Sequence, residues 1–247
     1  MNNIILSPEN SVAISEAVFE ITNSKIVNHL QNILKVECDQ QRYLKIILPN
    51  VGSGTGRVFR DHRESYFVEV LELHRTKKRN IHLGIATTRP PMAKRILEHA
   101  TTLGAASFNF FPADLSEKSY TSSKIYSKER AKEHIQKGMS QCAQFCTEPE
   151  LLLDKNVKHL IDRFKQKNCP VFWLDKDAEN LFSESVSNKE ILLLIGPERG
   201  WTQSEVEYFK ENDIMGVKLS DSVMRVEFAV NAAFAQIEYI SNRRSNV

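Results

Sequence analysis

The sequence has no long hydrophobic run. Its most prominent one, Ile191–Ile195, falls far short of the roughly 18 apolar residues that a membrane-spanning helix needs. The opening segment lacks a basic stretch followed by an apolar one, so no secretory leader is expected. Cysteine is scarce. Cys38, Cys142, Cys146 and Cys169 show no framework spacing, which fits reduced thiols and a cytoplasmic setting. Nine glycines and eight prolines in 247 residues exclude collagen-like and low-complexity classes. The formal net charge of +2 gives no overall basic character, so any nucleic-acid surface must come from local clustering. Several chemical signatures are also missing. No G-x-G-x-x-G dinucleotide pattern and no G-x-S-x-G nucleophile turn occurs. Cys142 and Cys146 lie one helical turn apart downstream of His134, but no second ligand pair has zinc spacing, so no metal is expected.

What remains is an ordinary globular composition, 41% apolar and 26% charged, long enough for one large domain or two unequal ones. Residues 43–48 and 65–71 are β-branched and aromatic and read as strands of a half-exposed sheet, with a short helix predicted over 27–35. Between the strands, Gly52, Gly54 and Gly56 suggest a phosphate loop. No Lys-Ser/Thr follows them, so residues 49–62 read as a hairpin loop. The basic stretch 74–79 reads as a solvated boundary, dividing the chain into residues 1–75 and 76–247.

From residue 81 strands and helices alternate. Strands are predicted at 81–86, 105–111, 170–174, 190–195 and 216–219, and helices at 93–103, 127–145, 203–211 and 226–240. This order implies a parallel sheet covered by helices on both faces, an α/β fold. Two segments carry chemical interest. A buried strand ends in Gly196-Pro197-Glu198-Arg199-Gly200, and Thr202 with Glu205 forms a capping box for the next helix. Ligands of open α/β sheets bind at such strand exits, where glycine lets backbone approach them; a plain turn needing glycine for its geometry is the other reading. Further on, Arg225 and Glu227 open a helix that is apolar nearly all round and expected to be buried on most sides. Charges there need a partner or a task, and mutual pairing is the simplest partner.

Taken together, Gly196-Pro197-Glu198-Arg199-Gly200 and Met224-Arg225-Val226-Glu227-Phe228-Ala229 resemble the GPEGG and LRTETA motifs of the RsmE family. These are 16S ribosomal RNA uracil-N3 methyltransferases of the knotted SPOUT class. The Ser-Leu-Asn-Val ending of the related ribose methyltransferases is missing. Upstream, Asn28-His29-Leu30, His82-Leu83-Gly84 and Thr102-Leu103-Gly104 resemble the family more loosely. The chain departs from it at Thr102, Leu115 and Gln144, where the family carries a glutamate and two arginines.

The resemblance implies a SPOUT-type parallel sheet with a C-terminal trefoil knot, preceded by a small PUA-like β-barrel that binds RNA. It implies S-adenosylmethionine as cofactor, held by Leu174, Asp175, Ile195, Gly196, Pro197, Glu198, Gly200, Leu219, Ser220 and Met224. Catalysis would fall to Arg225, Glu198 and Glu227: Arg225 stabilises a uracil anion, and a glutamate accepts the proton or orients the arginine. Contacts to small-subunit ribosomal RNA are expected from Arg57, Arg60, Arg63, Arg75, Lys77, Lys78 and Arg79. A cytoplasmic homodimer with no membrane association completes the expectation. The lost arginines leave two alternatives open, a knotted RNA binder without methyl transfer and a methyltransferase for another nucleotide.

Overall fold

The computed structural model describes residues 3–38, 40–78, 80–142, 144–183, 186 and 189–244. They divide into two compact units, Met1–Lys78 with Gln136–Glu148, and Arg79–Ile135 with Pro149–Val247.

The first unit is a six-stranded sheet of β1 (Asn3–Ile5), β2 (Ser11–Ala13), β3 (Val18–Ile21), β4 (Gln41–Leu48), β5 (Gly52–Arg60) and β6 (Tyr66–Arg75), in the order β1-β4-β5-β6-β3-β2. Only β1 and β4 run parallel. The predicted glycine loop is instead most of β5, which pairs along its length with β4 and β6. Its glycines serve a close approach of strands: a Cβ on Gly52 or Gly54 would overlap the carbonyl oxygens of His74 and Glu72, at 1.9 and 1.8 Å. The register shifts between Thr55 and Gly56, a bulge that bends the ladder. The predicted helix over 27–35 is a short α1 (Ser24–Asn28), capped by Asn23, followed by a wide turn in which Leu34 N–H reaches the His29 carbonyl. This widening leaves Leu30 fully buried and turns Ile33 to solvent. Ile26 and Leu30 join Ile46, Val58, Tyr66 and Val68 in the core.

The helix predicted over 127–145 stops at Met139. Beyond it the backbone is used elsewhere in the first unit. Asn3 Nδ2 donates to the Ser140 and Cys142 carbonyls (3.0 and 2.9 Å), Lys77 N–H to Gln144 and Asn50 N–H to Cys146.

The second unit contains β7 (Ile81–Ala86), α2 (Pro90–Thr102), β8 (Ser107–Phe111), α3 (Lys118–Thr121), most of α4 (Lys128–Met139), β9 (Glu150–Leu153), α5 (Val157–Lys165), β10 (Val171–Leu174), β11 (Ile191–Ile195), α6 (Gln203–Glu211), β12 (Met215–Val217) and α7 (Val226–Arg244). The sheet order is β12-β10-β11-β7-β8-β9 and every pairing is parallel, the expected α/β fold. Runs such as Ile191–Ile195 are apolar throughout because both sheet faces are covered. Helix α5 buries Val157, Leu160, Ile161 and Phe164 at helical spacing against the sheet. Helix α7 is less enclosed than its composition suggested. Val230, Ala233, Phe234 and Ile237 are buried, but Phe228 and Tyr239 are 57% and 64% exposed. Among the described residues no helix is long and apolar enough to cross a membrane.

Candidate active site

Parallel strands deliver their exit loops to one edge, and here the loops after β10, β11 and β12 are tied together. Trp201 Nε1, in the turn after β11, donates to the Leu174 carbonyl at the end of β10 (3.2 Å). Asp175 N–H donates to Val217 of β12 (3.0 Å), Lys218 N–H to Asn180 (2.8 Å), and Gln236 Nε2 on α7 to Leu219 (2.9 Å). The structure therefore gathers Leu174, Asp175, the 195–200 turn and Leu219 at one edge. Ser220 accepts from Ser222 N–H in the same exit loop, and Met224 is half-buried further along it.

The turn uses its glycines for two purposes. Gly196 lies against the Trp201 ring, which a Cβ would meet at 3.0 Å. Gly200 has φ +77°, a left-handed conformation suited to glycine, and nothing lies within 4 Å of its missing Cβ. Its backbone is thus open on that side. The capping box forms as expected, with Thr202 and Glu205 each accepting the other's backbone N–H.

Glu198 faces the exit of β7. Its Oε1 accepts from the Thr88 hydroxyl (2.5 Å) and from Arg89 N–H (3.2 Å). Burial pulls this carboxyl upward, but the Thr88 hydroxyl, backbone N–H groups and the nearby Arg89 charge outweigh it and hold the group below its ordinary range. From the other side Tyr126 Oη donates to the Thr88 carbonyl (2.7 Å) and accepts from Thr88 N–H (3.0 Å). Burial pushes this phenol up to about 12. Arg89 Nε donates to Tyr120 Oη (3.2 Å). None of Thr88, Arg89, Tyr120 or Tyr126 was picked out from the sequence. The available signal was Arg89-Pro90-Pro91, a charged residue at a strand exit with proline fixing the helix start.

Arg225 and Glu227 do not pair with each other. Arg225 is exposed, with no side-chain partner among the described residues, and its carbonyl accepts from Phe228 and Ala229 N–H at the head of α7. Glu227 is 3% exposed. Its Oε1 meets Arg95 Nη1 of α2 at 3.2 Å, and its buried Oε2 has no partner among the described residues. The helix turn sends adjacent positions to different faces, so Glu227 points to α2 while Arg225 stays outside.

In the first unit, Arg57 is paired with Glu69, and Arg60 with Glu64 (2.9 Å) while lying over the Tyr66 ring. Arg63, Arg75, Lys77 and Lys78 are exposed, and no ion pair engages them among the described residues. Arg79 lies outside the described residues.

A parallel sheet with helices between its strands and an opened glycine turn at its carboxyl edge defines an α/β protein. Residues 75–238, more than half of the chain, match the family described as the RNA methyltransferase domain, and the chain belongs to that family. Ribosomal RNA small subunit methyltransferase E of Treponema pallidum is 28% identical over 250 residues, covering 95% of this chain and 90% of that protein. Ribosomal RNA small subunit methyltransferase E 1 of Borreliella burgdorferi is 25% identical over 178 residues, covering 71% and 74%. The crystal structure of ribosomal RNA small subunit methyltransferase E from Neisseria gonorrhoeae bound to S-adenosyl methionine superposes with a TM-score of 0.77 at 19% identity. It covers 97% of this chain and 98% of that one, so the fold is shared over nearly the full length. The resemblance carried by residues 196–200 and 224–229 holds.

Proposed function

We propose that the protein transfers a methyl group from S-adenosylmethionine to N3 of a uridine in small-subunit ribosomal RNA. The observation that carries this reading is the joining of the β10, β11 and β12 exits around an opened glycine turn. The residues present fit the cofactor: Gly196 is seated against Trp201, Gly200 offers unobstructed backbone, and the strands end in the apolar Leu174 and Ile195. Leu174, Asp175, residues 195–200, Leu219, Ser220 and Met224 would hold it. When bound, the cofactor supplies a methyl group on a sulfonium, transferred by displacement.

The chain must align the acceptor nitrogen and keep water out. Uracil N3 carries a proton at neutral pH, and its loss is assisted by a fixed positive charge near the developing anion. Arg225, exposed and unpaired among the described residues, takes that role and the proton passes to solvent. Glu198 stays ionised and engaged with Thr88, which suits it to hold the turn. Glu227 is too buried to meet a base arriving from solvent; its ion pair with Arg95 sets the head of α7 and so orients Arg225. The target base must leave its stack to reach this edge.

The same reading includes a trefoil knot, supported by the β12 exit running beside residue 180 in the connection between β10 and β11. It includes a PUA-like barrel, supported by a bulged, largely antiparallel sheet around one core. Arg63, Arg75, Lys77 and Lys78, which no ion pair engages among the described residues, would contact the RNA, and Arg79 is read with them. The reading places the protein in the cytoplasm as a homodimer, the pairing supported by exposed Val223, Phe228 and Tyr239 on and before α7. Calorimetric titration with S-adenosylmethionine, then tritiated methyl transfer to small-subunit RNA with nucleoside digestion, tests the reading. Binding and N3-methyluridine are expected. Binding without product would favour a non-catalytic RNA binder, and another methylated nucleoside would overturn the substrate.

A further inference from the structure

The Thr88–Arg89 dipeptide at the exit of β7 is held on every side. Tyr126 Oη takes both the N–H and the carbonyl of Thr88, and Glu198 Oε1 takes the Thr88 hydroxyl and Arg89 N–H. The Arg89 carbonyl accepts from Met92 and Ala93 N–H (2.8 and 3.1 Å), and Pro90 and Pro91 restrict the backbone that follows. Tyr120 Oη then accepts from Arg89 Nε. After all this the two Nη groups remain exposed, with no partner among the described residues. Glu198, the nearby carboxylate, is bonded to the arginine's backbone N–H.

Fixing a backbone so fully restricts where a long side chain can reach, which is useful when the side chain must meet a ligand in one geometry. With Nε engaged, the free Nη pair presents two parallel donors, the arrangement that grips a phosphate in two places. The position decides the ligand. In the sheet, β7 lies on the side of β11 opposite β10 and β12, whose exits form the proposed cofactor edge. An anion at Arg89 therefore lies across the Glu198 turn from that edge.

We propose that Arg89 binds a backbone phosphate of the substrate RNA, with Glu198 and Tyr126 as positioning residues. This rests on the methyltransferase reading above. The test uses the full chain, S-adenosylmethionine and 16S ribosomal RNA transcribed in vitro. For Arg89→Ala, RNA affinity should fall about tenfold and the log–log salt slope should shrink by about 1. KM for RNA should rise with kcat retained at saturation, while cofactor affinity and melting temperature stay unchanged. Arg89→Lys should keep the slope but recover only part of the affinity, since an ammonium cannot make the two-point grip. Tyr126→Phe should keep the slope and lose about threefold in affinity at unchanged cofactor binding. Lys210→Ala, which removes an exposed charge from α6, should alter neither slope nor affinity. If Arg89→Ala leaves both as in the wild type, the inference fails. If it loses cofactor affinity instead, the guanidinium belongs to the cofactor and the inference also fails. A wild-type protein that neither binds RNA nor transfers methyl would sink the methyltransferase reading itself, a result distinguishable from an active wild type indifferent to Arg89.

Discussion

Two polar regions of the second unit are built on opposite terms. In the first, polar side chains form a closed chain that begins at the amino ends of β7, β8 and β11 and runs across to Asp154, just past the carboxyl end of β9. Glu190 meets His82 Nε2 (3.0 Å), His82 Nδ1 meets Ser107 Oγ (2.7 Å), and Asn109 Nδ2 donates to that hydroxyl (2.8 Å). Arg163 Nη2 bridges Asn109 Oδ1 (2.9 Å) and buried Asp154 (2.7 Å), whose other oxygen meets His159 (3.1 Å). In the second, at the exit of β7 and the head of α7, Arg89 Nη and Arg225 are exposed and unpaired among the described residues. Polar groups that satisfy one another stabilise a fold. Groups left with spare hydrogen-bonding capacity cost stability and are kept where a ligand completes them.

Breaking the closed chain should cost the fold most. Arg163→Ala leaves Asp154 buried without its main counter-charge, and a loss of about 3 kcal/mol is expected in urea unfolding. Methyl transfer by the folded fraction should be unchanged; a drop in specific activity would show that the two regions are not separable. The reverse is expected in the second region. Arg225→Ala should slow methyl transfer about 100-fold, roughly 2.7 kcal/mol of barrier, without lowering the melting temperature. Equal losses of stability and activity would make Arg225 a structural residue.

Thr202→Ala tests the border between these regimes, since the residue caps α6 and also donates to Asp114 Oδ2 (3.0 Å). Stability should fall by about 1 kcal/mol, with weaker cofactor binding if the cap also steadies the glycine turn. Calorimetry separates the two. The smallest effect concerns pH. Burial, with help from Lys167 and against the pull of Glu190, holds His82 below its ordinary 6.5. The folded chain then binds fewer protons than the unfolded one between that lowered value and 6.5. Its contribution to stability should therefore fall as pH drops below 6.5 and stay level above it. His82→Asn should flatten that part of the stability–pH curve; an unaltered slope would mean another group titrates there.

Local signals served the sequence reading well where they were self-contained. The Thr202–Glu205 capping box and the apolar run of β11 concern neighbouring residues and formed as expected. The errors arose where a residue type has two uses. Glycines at 52, 54 and 56 signal turns, but here they admit the carbonyls of β6 to a tight strand pair. The predicted helix runs on to 145, yet past Met139 the carbonyls of Ser140, Cys142, Gln144 and Cys146 accept from Asn3, Lys77 and Asn50. The short β1, β2 and β3 and the edge strand β9 went unpredicted.

By itself the sequence determined the alternation of strands and helices, the opened turn at 196–200 and the charged head of α7. Each follows from the preferences of residues within a few positions of one another. Only the tertiary structure decided the partners of the charges. Glu198 meets Thr88 across 110 positions, and Glu227 meets Arg95 across 132. Such pairings depend on which strands the crossovers bring side by side. A carboxylate carries no local mark of the arginine or hydroxyl it will face, because that choice is made by the sheet order and by which helix packs against which.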